Sequence, residues 1–387
     1  MPDFIHRTIT QKIIEQKDKF PILGLTGPRQ SGKTTLLKTH FKDYEYVSLE
    51  NPDVRAFATE DPNGFLNKYH GYTILDEVRR VPELFSYLQT RVDESQKMGQ
   101  YILSGSQNFH LLRNITQTLA GRIALFKLLP LDFHELKSAG SLASSYSAAS
   151  VKGFYPAIFD RDIRSPVFYA NYLQSYIEKD VSELVNIHNT HLFWTFLSLC
   201  AHNAGQLLNL SSLALAAGIS HTTARAWLSI LESSYLVFLL QPYHENFKKR
   251  VTKSPKLYFY DTGLLCHLLG LQKAGDMDEN RLKGNIFENL IIAEYQKINY
   301  HHYLLRNYYF WRDSNQHEVD LLLKEPNGFS IFEIKATQTV KSSLFNQMNY
   351  FESLAATDKV HKTLIYGGND NQLRTGYDVL SWYNING

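Results

Sequence analysis

At 387 residues the chain exceeds what one hydrophobic core usually serves, so two or three domains are expected. Hydrophobic residues at 44 % and charged residues at 20 % exclude a disordered chain, and a formal charge of +2 excludes a whole-molecule field for nucleic acid, leaving only local patches. The two cysteines, Cys200 and Cys266, lie in apolar helical stretches, which argues for a reducing compartment and against a disulfide framework or zinc site.

The first nineteen residues alternate charge with single apolar residues and lack a secretory h-region. No window approaches the ~20 apolar residues needed to cross a bilayer, so a soluble, cytoplasmic protein without membrane contact is expected. Residues 21–137 alternate short apolar runs with helical patterns, the rhythm of a parallel sheet with flanking helices. Strands are expected at 21–26, 44–49, 72–76, 100–105 and 123–128. Residues 138–150 are rich in Ser, Ala and Gly without periodicity and read as a flexible connection. The next stretch, to about Leu271, is mostly helical, and a polar stretch at 273–283 separates it from a small α/β unit at 284–387. The expected organisation is a parallel α/β domain at 1–140, a mostly helical domain at 151–272 and a small α/β domain at 280–387.

Gly27-Pro28-Arg29-Gln30-Ser31-Gly32-Lys33-Thr34 fits the phosphate-loop pattern between an apolar run and a helix-forming run that begins at Thr35. Gly27 and Gly32 let the backbone turn tightly enough for successive N–H groups to face one phosphate, and the following helix adds its positive end. Lys33 brings a mobile charge to the β- and γ-phosphates, and Thr34 offers a hydroxyl to Mg²⁺. The run Tyr72-Thr73-Ile74-Leu75 ends in Asp76 and Glu77, which puts both acids at the carboxyl edge of the sheet. Asp76 is expected to hold the magnesium and Glu77 to orient the attacking water, with ATP and Mg²⁺ as cofactors. A strand ending at Ser104 and Ser106 resembles the sensor strand of AAA-type ATPases, and Arg122 is a candidate for contact with nucleotide or a neighbouring domain.

These motifs, with Leu119-Ala120-Gly121-Arg122, Pro130-Leu131, Glu135, Gly153-Phe154-Tyr155-Pro156 and the run 258–263, resemble a prokaryotic family of AAA-like ATPases carrying a C-terminal domain of uncharacterised function. The resemblance implies ATP binding and hydrolysis but no substrate. One departure is visible: the family follows its acidic pair with a hydrophobic residue and Gln, where this chain has Val78-Arg79.

Residues 210–231 read as helix, glycine turn and second helix, with Ser220 at the N-cap and His221, Thr222, Arg225 and Ser229 facing outward. Two strands then enclose Lys248, Lys249, Arg250, Lys253 and Lys256, a winged-helix layout with a basic wing suited to DNA or to docking a protein partner. Further on, a helix carrying Glu288 precedes two strands, Glu318-Val319-Asp320-Leu321-Leu322-Leu323 and Phe332-Glu333-Ile334-Lys335, joined by the turn Glu325-Pro326-Asn327-Gly328. The period of two puts Glu333 and Lys335 on one face. This arrangement resembles the PD-(D/E)xK nuclease superfamily, which implies Glu288, Asp320 and Glu333 as metal ligands and Lys335 as the water-orienting group. Two readings follow: an ATPase coupling nucleotide state to a winged-helix and nuclease-like body acting on DNA, or a nucleotide-switched interaction protein whose nuclease-like fold is inactive.

Overall fold

The computed structural model describes residues 5–106, 118–176, 190–244, 252–355 and 359–385. The first unit is a five-stranded parallel sheet, β1 (Ile22–Thr26), β2 (Glu45–Ser48), β3 (Thr73–Asp76), β4 (Tyr101–Gly105) and β5 (Ile123–Lys127), in the order β2-β3-β4-β1-β5. The central strands β1, β3 and β4 are buried along their whole length, as apolar runs covered by helices on both faces must be. Each strand begins and ends within two residues of its expected position. Because β4 inserts between β1 and β3, the loop after β1, the acids after β3 and the serines around β4 emerge side by side at one edge.

The second part of the expected flexible connection at 138–150, from Tyr146 on, is instead part of the packed body. Ser145 accepts a hydrogen bond from Ala148 N and caps the helix Tyr146–Lys152, whose Tyr146, Ala149 and Ser150 are buried. Small side chains were mistaken for slack; here they allow close approach. The polar stretch at 273–283 likewise contains the short helix Ala274–Asp278, with Met277 buried beneath it.

Helices Leu210–Ala217 and His221–Ser233 form the expected pair, capped by Asn209 and Ser220. Ala224, Trp227, Leu228 and Leu231 face inward, and His221, Thr222, Arg225 and Ser229 are exposed. The hairpin β6 (Val237–Pro242) and β7 (Lys256–Phe259) follows. Lys248, Lys249 and Arg250 lie outside the described residues. Lys256 is no part of a solvated wing: it is buried.

The C-terminal unit starts with the helix Lys283–His301 and continues as an antiparallel meander, β8 (Tyr308–Arg312), β9 (Glu318–Glu325) and β10 (Gly328–Lys335). The helix Asn346–Leu354 then crosses to β11 (Lys359–Tyr366), which runs parallel to β10, and the short strands β12 (Gln372–Arg374) and β13 (Tyr377–Ser381) complete the edge. Strand β6 pairs in parallel with β8, so the hairpin and the C-terminal unit share one eight-stranded sheet, β12-β13-β11-β10-β9-β8-β6-β7. One apolar core accordingly runs from Ile5 through the middle helices to Trp382 and Ile385. No described helix is long and apolar enough to cross a membrane.

Candidate functional site

At the loop after β1 the backbone of Gly27 runs against that of Leu128: a Cβ built there would sit 2.1 Å from the Leu128 carbonyl oxygen, which leaves room only for glycine. Gly32 takes φ +93° at the start of the helix Lys33–His40. Lys33 folds back over the loop, its Nζ donating to the carbonyls of Gly27 at 2.8 Å and Pro28 at 2.7 Å. The ammonium is thus held over the concave side of the turn.

Asp76 gathers the neighbouring hydroxyls. Thr34 Oγ1 donates to its Oδ2 at 3.1 Å, Tyr46 from β2 donates to the same oxygen at 2.5 Å, and Ser104 from β4 donates to Oδ1. Burial first, and then the bond to Asp76, raise the Tyr46 phenol above its ordinary range, which keeps it a donor. Glu77 sits in a left-handed conformation, φ +53°, sparsely populated for a residue with a Cβ. Its Oε2 accepts from Arg79 Nε at 2.8 Å and lies 3.5 Å from Ser106 Oγ. Arg79, where the resembling family has Gln, therefore engages the acid directly. A cleft of about 390 Å³ opens among Lys33, Thr34, Asp76, Glu77 and Ser106. An adjoining pocket of about 240 Å³ shares Gln30, Gly32 and Thr35 with it and is walled by Ile5, Leu131, Pro156 and Ala157.

Arg122 lies elsewhere. It precedes β5, at the edge of the sheet opposite the phosphate loop, and its guanidinium forks onto Asp93 at 2.5 and 2.7 Å near the surface. The expectation that it touches nucleotide is not met, because a parallel strand presents only its carboxyl end to that site.

A buried arginine that sequence reading passed over supports the loop from beneath. Arg7 donates to Ser31 O at 2.7 Å, Leu129 O at 2.6 Å and Glu135 Oε2 at 3.1 Å. Glu135 and Asp132 form a capping box for the helix Phe133–Ser138, and His301 Nδ1 meets Asp132 Oδ2 at 2.7 Å. Leu129 N donates to His301 Nε2, so Nδ1 carries the proton in this tautomer. Asp132, Glu135 and His301 are close enough to share a metal, yet each carboxylate oxygen already receives a donor from the chain. The group reads as an ion-pair core that ties the phosphate loop to the helix Lys283–His301.

The C-terminal residues also converge. Asp320 Oδ2 accepts from Lys335 Nζ at 2.9 Å and from Ile334 N at 2.8 Å, and Lys335 reaches Glu333 Oε1 at 2.6 Å. Burial, and next the charge of Asp320, push the Glu333 carboxyl up to about 8. Glu288 approaches from the helix, its Oε1 accepting from Tyr258 OH at 2.6 Å and from Lys256 Nζ at 2.9 Å. Glu318 completes the group; standing two residues before Asp320 on β9, it was discoverable from the strand period. Its carboxylate binds Lys256 and Arg312. Lys256 and Tyr258 carried no sequence signal for this place.

Comparison with known proteins matches three family models to successive parts of the chain. Residues 19–137 match the model of an AAA domain, 143–275 a domain of unknown function (DUF8612) and 283–385 another domain of unknown function (DUF4143). An uncharacterized protein of Mycobacterium tuberculosis is 31 % identical over 333 residues, covering 82 % of this chain and 71 % of that protein. An uncharacterized protein of Haemophilus influenzae is 24 % identical over 319 residues, covering 74 % and 78 %. Among solved structures, a Walker-type ATPase of Pyrococcus abyssi superposes with a TM-score of 0.45 at 16 % identity, covering 69 % of this chain and 96 % of its own. The α/β unit with its parallel sheet is therefore a nucleotide-binding AAA-type ATPase domain, and the chain belongs to the family of its uncharacterized mycobacterial relative.

Proposed function

We propose that the chain is a Mg²⁺-dependent ATPase that couples nucleotide state to its helical and C-terminal body. The observation that carries this reading is the convergence of Lys33, Thr34 and Asp76 in one cleft with Glu77 beside them. Backbone N–H groups of 27–34 and Lys33 bind the phosphates, and the apolar wall of Ile5, Leu131, Pro156 and Ala157 suits the flat face of the base. Thr34 Oγ1 and Asp76 Oδ2, 3.1 Å apart, suit a hard divalent cation, and they would hold Mg²⁺, which supplies charge neutralisation on the phosphate oxygens. Glu77 orients water for attack, and Ser106 stands next to it. The test is a turnover assay with a binding measurement beside it. Lys33→Ala should abolish ATP binding, while Glu77→Gln should keep binding and lower turnover by roughly 10²–10⁴; equal turnover in Glu77→Gln and the parent chain refutes the assignment.

For the C-terminal unit the reading is a PD-(D/E)xK-like metal site for phosphodiester cleavage, supported by Asp320, Glu333 and Lys335 sharing one face beside Glu288. DNA is the proposed partner of the exposed residues His221, Thr222, Arg225 and Ser229. Hydrolysis that DNA accelerates supports this reading; hydrolysis indifferent to DNA favours a nucleotide-switched protein-interaction module with an inactive nuclease-like fold.

A further inference from the structure

Glu288, Glu318 and Asp320 bring carboxylate oxygens from a helix and a strand within 4.8 Å of one another. Like charges at that spacing repel, and away from bulk water they stay ionised together only around a cation. In this structure Lys335 lies on Asp320 and Arg312 on Glu318, and the cation shared by Glu288 and Glu318 is Lys256. Its Nζ donates to Glu288 Oε1 at 2.9 Å and to Glu318 Oε1, and its side chain is 2 % exposed. Lysine is almost never this buried without such partners. The lysine belongs to neither element that carries the acids; it reaches in from β7, whose backbone is fixed by pairing with β6 and by a bridge to Leu207.

A second observation points the same way. Glu333 Oε2 has no hydrogen-bond partner among the described residues, although its side chain is only 5 % exposed. Its other oxygen takes Lys335, which also holds Asp320. A buried carboxyl oxygen without a partner calls for an explanation, and a ligand displaced from its ion is one.

We propose that these acids form a divalent-cation site and that Lys256 is a tethered cation keeping it shut in this conformation. The proposal rests on the reading of the C-terminal cluster as metal-binding. All-oxygen donors suit Mg²⁺ or Mn²⁺. A tethered ammonium competes well because it is always present at high effective concentration, whereas the ion must be drawn from solution and dehydrated. Metal entry therefore requires Lys256 to swing out, and the site is latent until something moves β7 or the side chain.

The experiment titrates Mn²⁺ alone into the full chain, nucleotide-free and carrying Asp76→Asn to silence the other cation position, with free Mn²⁺ read by electron paramagnetic resonance. With Lys256 present no stoichiometric uptake at the cluster is expected. Lys256→Ala, or Lys256→Gln should the first not fold, gains one Mn²⁺ per chain with at least about tenfold tighter binding, and Asp320→Asn removes it again. Lys256→Arg stays metal-free. The proposal is overturned if the chain with Lys256 already takes up an ion that Asp320→Asn abolishes, or if both folded Lys256 variants bind none. Uptake on loss of Lys256 without DNA cleavage upholds the tethered cation and refutes only the nuclease reading.

Discussion

Replacing Arg7 with Met tests whether the buried pair beneath the phosphate loop is structural glue. The substitution keeps a long apolar stem and removes three donations, to Ser31 O, Leu129 O and Glu135 Oε2. The partner side chains are 3 % and 1 % exposed, so water cannot take over. Breaking one side of a buried ion pair costs about 3–5 kcal/mol. Glu135 keeps the N–H groups of Thr8 and Asp132, which puts the expectation at the lower end, about 3 kcal/mol. That is a large share of the about 5–15 kcal/mol by which domains are stable. Urea unfolding followed by far-ultraviolet circular dichroism measures it. The double variant Arg7→Met with Glu135→Gln should recover at least about 1 kcal/mol relative to the sum of the singles, because a neutral amide no longer needs the guanidinium. A loss below about 1 kcal/mol for Arg7→Met, or strict additivity in the double variant, refutes the reasoning.

Two further outcomes follow from buried titratable groups. Burial alone would raise Asp132, but the bond from His301 first, and then Glu135 N–H and Arg7, bring the carboxyl down to about 2. Its pKa in the folded state is thus below the unfolded value of about 3.9, so its contribution is complete above about pH 4 and is lost as pH falls through about 2. Acid unfolding curves should steepen in that window and flatten in Asp132→Asn; identical curves for the two chains contradict the sign. Burial likewise pushes the Cys200 thiol up to about 12, and Cys266 is equally enclosed. Neither should react with a thiol-specific chromogenic reagent in the native chain, and both should react in denaturant. Rapid native labelling would show that these helices open.

The five strands of the ATPase sheet were legible because buried parallel strands are short apolar runs, and that pattern survives in one dimension. Their spatial order was not: nothing local to Tyr101–Gly105 says that it inserts between β1 and β3, so the resemblance to a sensor strand brought Ser104 near the phosphates but not onto Asp76. Tyr46 is similar; alternation along β2 gives its face but not its neighbour. Lys256 was misread for a stronger reason. Its acidic partners lie 32 and 62 residues away, and a lysine near other basic residues looks solvated until the sheet is assembled. The helix Tyr146–Lys152 escaped because Ser and Ala give almost no hydrophobic contrast over seven residues.

The pairing of β6 with β8 gives the molecule a mechanical character. Two stretches separated by tens of residues are riveted through main-chain hydrogen bonds, so the helix pair cannot swivel freely above the C-terminal unit as a bead on a tether would. Any torque applied to His221–Ser233 must either shear a continuous eight-stranded plate or carry that plate with it. Excising everything beyond Leu271 would strip β6 of β8, one of its two neighbours, and bare an unsatisfied strand edge, so the severed halves are expected to clump rather than work apart.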